Sequence, residues 1–194
     1  MKLHEIATAR SYISEEAAEW LWKKRQNHTI GNHFIQRDGT IDVDGSVEIH
    51  SADGRELPVQ FGKVRDGFYC SGSDLTTLRG CPREVGEDFV CSNIAITSFD
   101  GVPLIIGSEF RCFEVKVSSL AGIGKTYARH IGGTFKSNRV FTHMLGLLLV
   151  DGLTNILTMH TPVDKILNKY LGTGDILSAQ HELIEAGFTD QARL

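Results

Sequence analysis

Neither an excess of positive charge nor a long apolar run marks this sequence. The 194 residues carry 20 Lys and Arg against 24 Asp and Glu, for a formal net charge of −4. That balance disfavours a nucleic-acid binder, which needs a basic stripe to meet phosphates. The densest basic cluster, Lys23-Lys24-Arg25, falls at the end of an expected helix, where cations suit the dipole. The longest apolar stretch, Met144 to Val150, is far too short to span a bilayer. The opening MKLHEIATARSYISEE has no apolar core of a secretory signal. Cysteine is sparse, four in all, and is read as reduced thiols in a cytoplasmic protein. Proline is equally rare at four, whereas glycine reaches 20, a composition suited to many tight turns. Apolar residues at 41% and charged residues at 23% are those of an ordinary globular chain, long enough for one domain with a real core.

What is present is a period. From Phe68-x-Cys70, a step of 21 residues reaches Phe89-x-Cys91, and another reaches Phe110-x-Cys112. A step of 21 backwards reaches Val47-x-Ile49. Each triplet reads as a short strand with one face buried. Leu75, Ile96 and Val117 keep step, as do Leu57, Leu78, Phe99 and Leu120, and then Gly80, Gly101 and Gly122. Pro82 and Pro103 follow, with Gly124 in the third unit, and then Val64, Val85, Ile106 and Tyr127. One such unit cannot bury its own apolar side. Stacked units bury a continuous column and pair every strand edge except the two at the ends. The spacing therefore predicts an α/β solenoid of parallel strands with a 21-residue period. The register breaks over Thr126–Gly133, restarts at Phe135, and a last strand is expected over Leu147–Val150.

The ends read as helical caps. SEEAAEWLWKKRQ, residues 14–26, has Ser14 as N-cap, acids first and bases last, with Ile13, Ala17, Trp20 and Leu21 on one face. Trp22 lies opposite. It either packs under the loop around residues 28–36 or stands exposed as a partner anchor. Ile41 and Val43 alternate with acids and predict a hairpin strand. After Pro162, Val163, Ile166, Leu167, Tyr170 and Leu171 follow helical spacing; past Gly172 and Gly174, Ile176, Leu177, Leu183, Ile184 and Phe188 continue it. The expected organisation is an N-terminal helical cap and lead-in strand over 1–40. The repeat solenoid follows over 41–150, regular in 47–125 and degenerate in 126–150, and then a C-terminal helical cap over 151–194.

LTTLRGCPREVGEDFVC followed by ITSFDGVPLIIGSEFRC resembles the short bacterial type of leucine-rich repeat, and in particular the small leucine-rich-repeat proteins of tailed phages. Those proteins share the G-x-F-x-C strand, the L-T-x-L step and the G-x-P turn. The likeness covers roughly residues 41–125, with a looser match in ILNKYLGTGDILSAQHELIEAGF. Two departures stand out: only Asn93 fits the Asn expected after the strand, and the third unit lacks Pro. The resemblance implies a leucine-rich-repeat-like fold. It also implies a phage protein in the host cytoplasm that binds a host protein of defence or transcription.

Several patterns imitate chemistry. Gly122-Ile123-Gly124-Lys125-Thr126 looks like the end of a phosphate loop, but Ser119 stands where that loop needs Gly, so the glycines read as turn residues. Cys70, Cys91 and Cys112 would form an interior line, which does not converge on a metal; Cys81, in a turn, is the thiol expected to be exposed. Asp42-x-Asp44-Gly45 lacks the first and closing ligands of a calcium loop. The eight His residues are scattered, and His28 and His33, five apart, are not a helical ligand pair. No catalytic residue, cofactor or metal is assigned.

Residues between the inward ones face out: Glu48, Tyr69, Val90 and Arg111, flanked by His50, Ser71, Ser92 and Phe113. Tyr, Arg and Phe are enriched where partners bind, and an exposed Val90 beside Tyr69 points to a contact patch. A solvated sheet with ordinary exposed aromatics is the plainer alternative. The partner-binding candidates are thus Glu48, Tyr69, Val90, Arg111, His50, Phe113 and Trp22, in a non-catalytic protein-interaction module. The competing reading is a small-ligand site or enzyme centred on residues 126–162, where the repeat breaks.

Overall fold

The computed structural model describes residues 12–194. Helix α1 spans Glu15–Gln26, and Ser14 Oγ accepts the Ala17 N–H at 3.1 Å, as its side chain and position suggest. Strand β1 (Ile30–Ile35) then pairs antiparallel with β2 (Ile41–Glu48). This is the hairpin announced by the alternation of Ile41 and Val43 with Asp42 and Asp44.

β2 is shared between two parallel ladders. Its first half pairs Ile41 with Phe61 and Val43 with Val64; its second pairs Val47 with Phe68 and Glu48 with Tyr69. One ladder continues through β3 (Phe61–Val64), β5 (Glu84–Val85), β7 (Ile105–Ile106) and β9 (His130–Ile131). The other continues through β4 (Phe68–Tyr69), β6 (Phe89–Val90), β8 (Phe110–Arg111), β10 (Thr134–Lys136) and β11 (Asn155–Leu157). The fold is a parallel-strand solenoid of six rungs, marked by Val47, Phe68, Phe89, Phe110, Phe135 and Ile156.

Each regular coil thus makes two strands, where the Phe-x-Cys triplets alone announce one. Val64, Val85 and Ile106 are the inward residues of the ladder that the triplets do not mark, the one through β3, β5 and β7. Its fourth member is Ile131, paired with Ile106, and not Tyr127. The displacement has a local cause. Cys81, Val102 and Ile123 each donate N–H to the carbonyl three residues back, and Ala128 N–H donates to Pro103 O at 2.9 Å. Gly124–Tyr127 are therefore the inserted residues, and Ala128, not Gly124, takes the place next to Pro103. Phe135 restarts the register as expected, in line with Phe110.

Phenylalanine builds the core. Phe68, Phe89, Phe110 and Phe135 stack with centroids 5.8, 5.8 and 5.4 Å apart. From the irregular third side, Phe99 reaches Phe110 at 5.6 Å and Phe141 at 5.8 Å. Leu75, Leu78, Ile96, Val117 and Leu120 are buried beside them.

Beyond residue 150 the sheet goes on. Met144–Leu149 forms 3-10 turns rather than a last strand, and the final rung is β11, whose Ile156 stands 21 residues after Phe135. Helices α2 (Thr161–Tyr170) and α3 (Ile176–Glu185) follow. Val163, Ile166, Leu167, Ala179 and Leu183 are buried, whereas Leu177 and Ile184 face outwards. No helix among the described residues is long and apolar enough to cross a membrane.

A ladder end carries backbone groups with no next strand, and burial without partners would cost free energy. At the last rung, Asn168 supplies both partners. Its Oδ1 accepts the Ile156 N–H and its Nδ2 donates to Ile156 O, each at 2.8 Å. One turn earlier in α2, Asp164 accepts the Thr158 N–H at 2.9 Å and its hydroxyl at 2.5 Å. At the first rung, Lys24 is only 3% exposed; its ammonium donates to Glu48 O and to Asp53 Oδ2, the latter at 2.8 Å. Lys24 is thus no solvated cation at a helix end. Lys24→Met leaves the Glu48 carbonyl unpartnered and takes the counter-charge from Asp53, which keeps the His50 N–H at 2.7 Å, and is expected to cost about 3 kcal/mol. Asn168→Leu is expected to cost about 2 kcal/mol and to speed amide exchange at Ile156. Chemical denaturation and hydrogen exchange check both.

Candidate interaction face

Alternation along the strands of the second ladder sends every phenylalanine inwards and the next residue outwards. The outward row runs Glu48, Tyr69, Val90, Arg111, Lys136, Leu157, each paired with the next across adjacent strands. Glu48 is exposed, Tyr69 and Arg111 are half-buried, and Leu157 is exposed. Val90 is 8% exposed, against the expectation of an open valine. It is a short side chain between two long ones on rungs about 4.8 Å away, and they shield it.

Tyr69 lies back along the sheet. A Cβ built on Gly67 would stand 2.3 Å from the Tyr69 hydroxyl and 2.4 Å from its ring, so the ring occupies the space of the missing side chain. Partial burial raises the hydroxyl's pKa, and the carboxylates of Asp88, Glu87, Asp66 and Glu48 raise it further. The N-terminal half of the face is therefore acidic. The C-terminal half is cationic. Arg111 Nε donates to Glu109 Oε1 at 2.5 Å, and the Lys136 ammonium pairs with the other oxygen of the same carboxylate. Glu109 is itself 9% exposed, and its backbone N–H donates to Asp88 Oδ1 at 3.0 Å.

The flanking row is more structural than its residue types suggest. Ser71 Oγ accepts the Ser92 N–H and Ser92 Oγ accepts the Phe113 N–H, both at 3.0 Å, so these hydroxyls hold successive coils together. Phe113 is half-buried. His50 is exposed, with Nε2 at 3.6 Å from Glu48 Oε2. Trp22 lies on α1, not on the sheet. It is 59% exposed and does not pack under the loop at 28–36, because α1 turns Ala17, Leu21 and Lys24 inwards instead. The structure thus gathers Glu48, Tyr69, Val90, Arg111, His50 and Phe113 on one ladder. Lys136, Leu157, Asp88 and Glu109 belong to the same face and were not singled out by sequence. For Lys136 and Leu157 the signal was the restart at Phe135, which carries the outward row two rungs further.

The interior column beside the phenylalanines reads Ile49, Cys70, Cys91, Cys112, Ser137, Thr158, all buried. Burial pushes the Cys70 thiol up to about 12 and the Cys91 and Cys112 thiols well up too. Cys81, expected to be exposed, is 3% exposed, with Gln60 Nε2 donating to its carbonyl at 2.8 Å, and its thiol is likewise raised. All four thiols should resist a disulfide reagent at pH 8 while the chain is folded and react once it is unfolded. Absorbance titration reads this. A raised thiol pKa leaves stability unaffected below the ordinary value of 9.0 and erodes it as pH climbs towards 12. Among the described residues no three His, Cys, Asp or Glu side chains group as metal ligands.

The imitative motifs are spent on local structure. In the Gly-Ile-Gly-Lys-Thr turn, Gly122 O accepts the Lys125 N–H at 3.1 Å and the Thr126 N–H at 2.8 Å. Those donors are closed on the loop itself, not presented to a phosphate. Asp42 Oδ1 accepts the Lys63 N–H at 2.8 Å, and Asp44 pairs with Arg65 at 2.5 Å. Residues 126–162 hold Ile131, Phe135, Phe141, Met144, Leu145 and Leu147, all buried. Two open depressions of about 540 and 530 Å³ lie elsewhere, around Arg25, His28 and Asn32 and around Asp74, Asn93 and Lys116. Comparison with family models, curated proteins and solved structures finds no match.

Proposed function

We propose that the chain is a leucine-rich-repeat-like solenoid, closed at each end by its helices, that serves as a non-catalytic protein-interaction module. The observation that supports this most is the outer row of the second ladder. A flat aromatic ring, a shielded valine and an Arg–Glu–Lys cluster stand on consecutive rungs of one rigid sheet. Aromatic and arginine side chains held in place lose little entropy on binding and dominate the energetics of protein interfaces. The likeness to small phage proteins extends the proposal: the partner is a host protein of defence or transcription, met in the host cytoplasm. Trp22, exposed on α1, offers a second anchor.

The test is affinity capture from host lysate with wild-type protein beside Tyr69→Ala/Arg111→Ala, read by mass spectrometry. A protein retained by wild type and reduced at least about 10-fold by the variant supports an interaction module acting through the sheet face. The same protein retained equally by both moves the contact to Trp22 or the C-terminal helices. Absence of any specific protein sinks the reading.

A further inference from the structure

The outward row of the second ladder is ordered about Val90. One rung to either side stand Tyr69 and Arg111, and two rungs to either side stand Glu48 and Lys136. A half-turn about an axis parallel to the strands and passing over Val90 reverses the rungs while keeping strand direction. It lays Arg111 of one copy over the Tyr69 ring of the other and brings Lys136 opposite Glu48, twice over by symmetry. The other face-to-face half-turn, about an axis along the stack, would set Glu48 on Glu48 and Arg111 on Arg111. Like charges forbid it. We propose that this face binds a second copy of the chain, in the first of these two orientations.

The chemistry of each half fits. The Tyr69 ring lies flat over Gly67 and so presents its π face, the surface a guanidinium seeks. Arg111 and Lys136 share the single carboxylate of Glu109, which leaves positive charge on that half. Around Tyr69 stand the carboxylates of Glu48, Asp66, Glu87 and Asp88, of which Asp66 pairs with Arg65 and Glu48 lies near His50, which leaves negative charge on the other. In this orientation the isologous contact therefore joins unlike halves, twice over. One element opposes it. Asp88, two residues before Val90 on the same rung, lies along the axis and meets its own symmetry mate. The five rungs from Glu48 to Lys136 span only about 19 Å, a patch well below the standard interface, so the dimer is weak and forms only towards the upper end of protein concentration.

This inference needs no foreign partner and goes beyond the proposed function, although a foreign partner using the sheet would compete with the second copy. Sedimentation equilibrium of the purified full chain from about 10 µM to 1 mM, at low salt, reads it directly. Wild type should dimerise and weaken about 10-fold at ~0.5 M salt. Tyr69→Ala should weaken the dimer at least ~10-fold, and Asp88→Asn should tighten it several-fold. The decisive arm uses Glu48→Lys and Lys136→Glu, each checked for folding by circular dichroism. Each alone should stay monomeric; mixed, they should associate, since both cross-contacts again join opposite charges. If Lys136→Glu does not fold, the tightening by Asp88→Asn takes its place as the deciding arm. A monomer at 1 mM, or a dimer indifferent to Tyr69→Ala and Asp88→Asn, overturns the proposal whatever the lysate experiment returns.

Discussion

Gly107→Ala should cost about 3 kcal/mol or more and lower the melting temperature by roughly 10 °C. Gly107 sits at the corner where each coil passes from the first ladder to the second. A Cβ there would stand 1.9 Å from Gly86 O and 2.6 Å from its carbonyl carbon, inside the backbone of the coil below. No side chain can swing aside to relieve that contact. The rungs would have to separate, which breaks the hydrogen bond from Gly107 N–H to Val85 O at 2.9 Å and its neighbours. Gly72→Ala is the matched control. Gly72 has φ +68°, yet a Cβ there meets nothing within 4 Å, so only the left-handed backbone is strained, at about 1 kcal/mol. Thermal melts of the two variants should therefore separate clearly. Equal losses would mean that coil spacing yields more easily than the stacked backbone implies.

The second large effect is expected at Phe110. Its ring touches Phe89, Phe99 and Phe135, with centroids at 5.8, 5.6 and 5.4 Å, and joins the column under the sheet to the side chains of the irregular wall. Phe110→Ala leaves a cavity in mid-stack and should cost about 3–5 kcal/mol, with Phe110→Leu, which refills part of that space, costing clearly less. A solenoid is held by nearest-neighbour contacts, so a weak central rung can uncouple its halves. Urea denaturation followed separately by circular dichroism and tryptophan fluorescence tests this. Both tryptophans, Trp20 and Trp22, lie in α1, so fluorescence follows the N-terminal end. Coincident transitions in wild type should part in Phe110→Ala.

The period was legible because it rests on side chains that must be apolar. Phe68, Phe89, Phe110 and Phe135 mark rungs however the chain runs between them, and the buried cysteines beside them keep the same step. The first ladder was half legible. Val64, Val85 and Ile106 kept register, but the corner after them is made by what is missing: Gly86, Gly107 and Gly132 leave room for the preceding coil. An absent side chain gives no periodic apolar signal, and the corner reads as one more turn. Tyr127 was a false fourth member because it is aromatic, buried and displaced by only four residues from its true counterpart, Ile131. The Ala128 N–H bond to Pro103 O, which places the insertion, is a backbone fact that no residue type encodes. Lys24 was misread for a related reason. Composition identifies a cation but not the orphan carbonyl of Glu48 that calls it inwards. On the candidate face, alternation placed Glu48, Tyr69 and Arg111 outwards; the folding back of Tyr69 depends on the missing side chain of Gly67, and the shielding of Val90 on neighbours 21 residues away.

The hydrogen bonds of Asn168 to Ile156 and of Lys24 to Glu48 O also bear on how such a chain can change its length over generations. A coil appended outside Asn168 or before Lys24 would find the ladder's last donors and acceptors already taken. A duplication of 21 residues within the regular stretch, for example Phe89 to Glu109, meets no such obstacle. The added copy would present Phe, Cys, the corner glycine and the Gly-x-Pro turn to neighbours built to receive them. Growth and loss of coils are thereby directed to the interior, and the two ends descend unchanged while the middle varies in number.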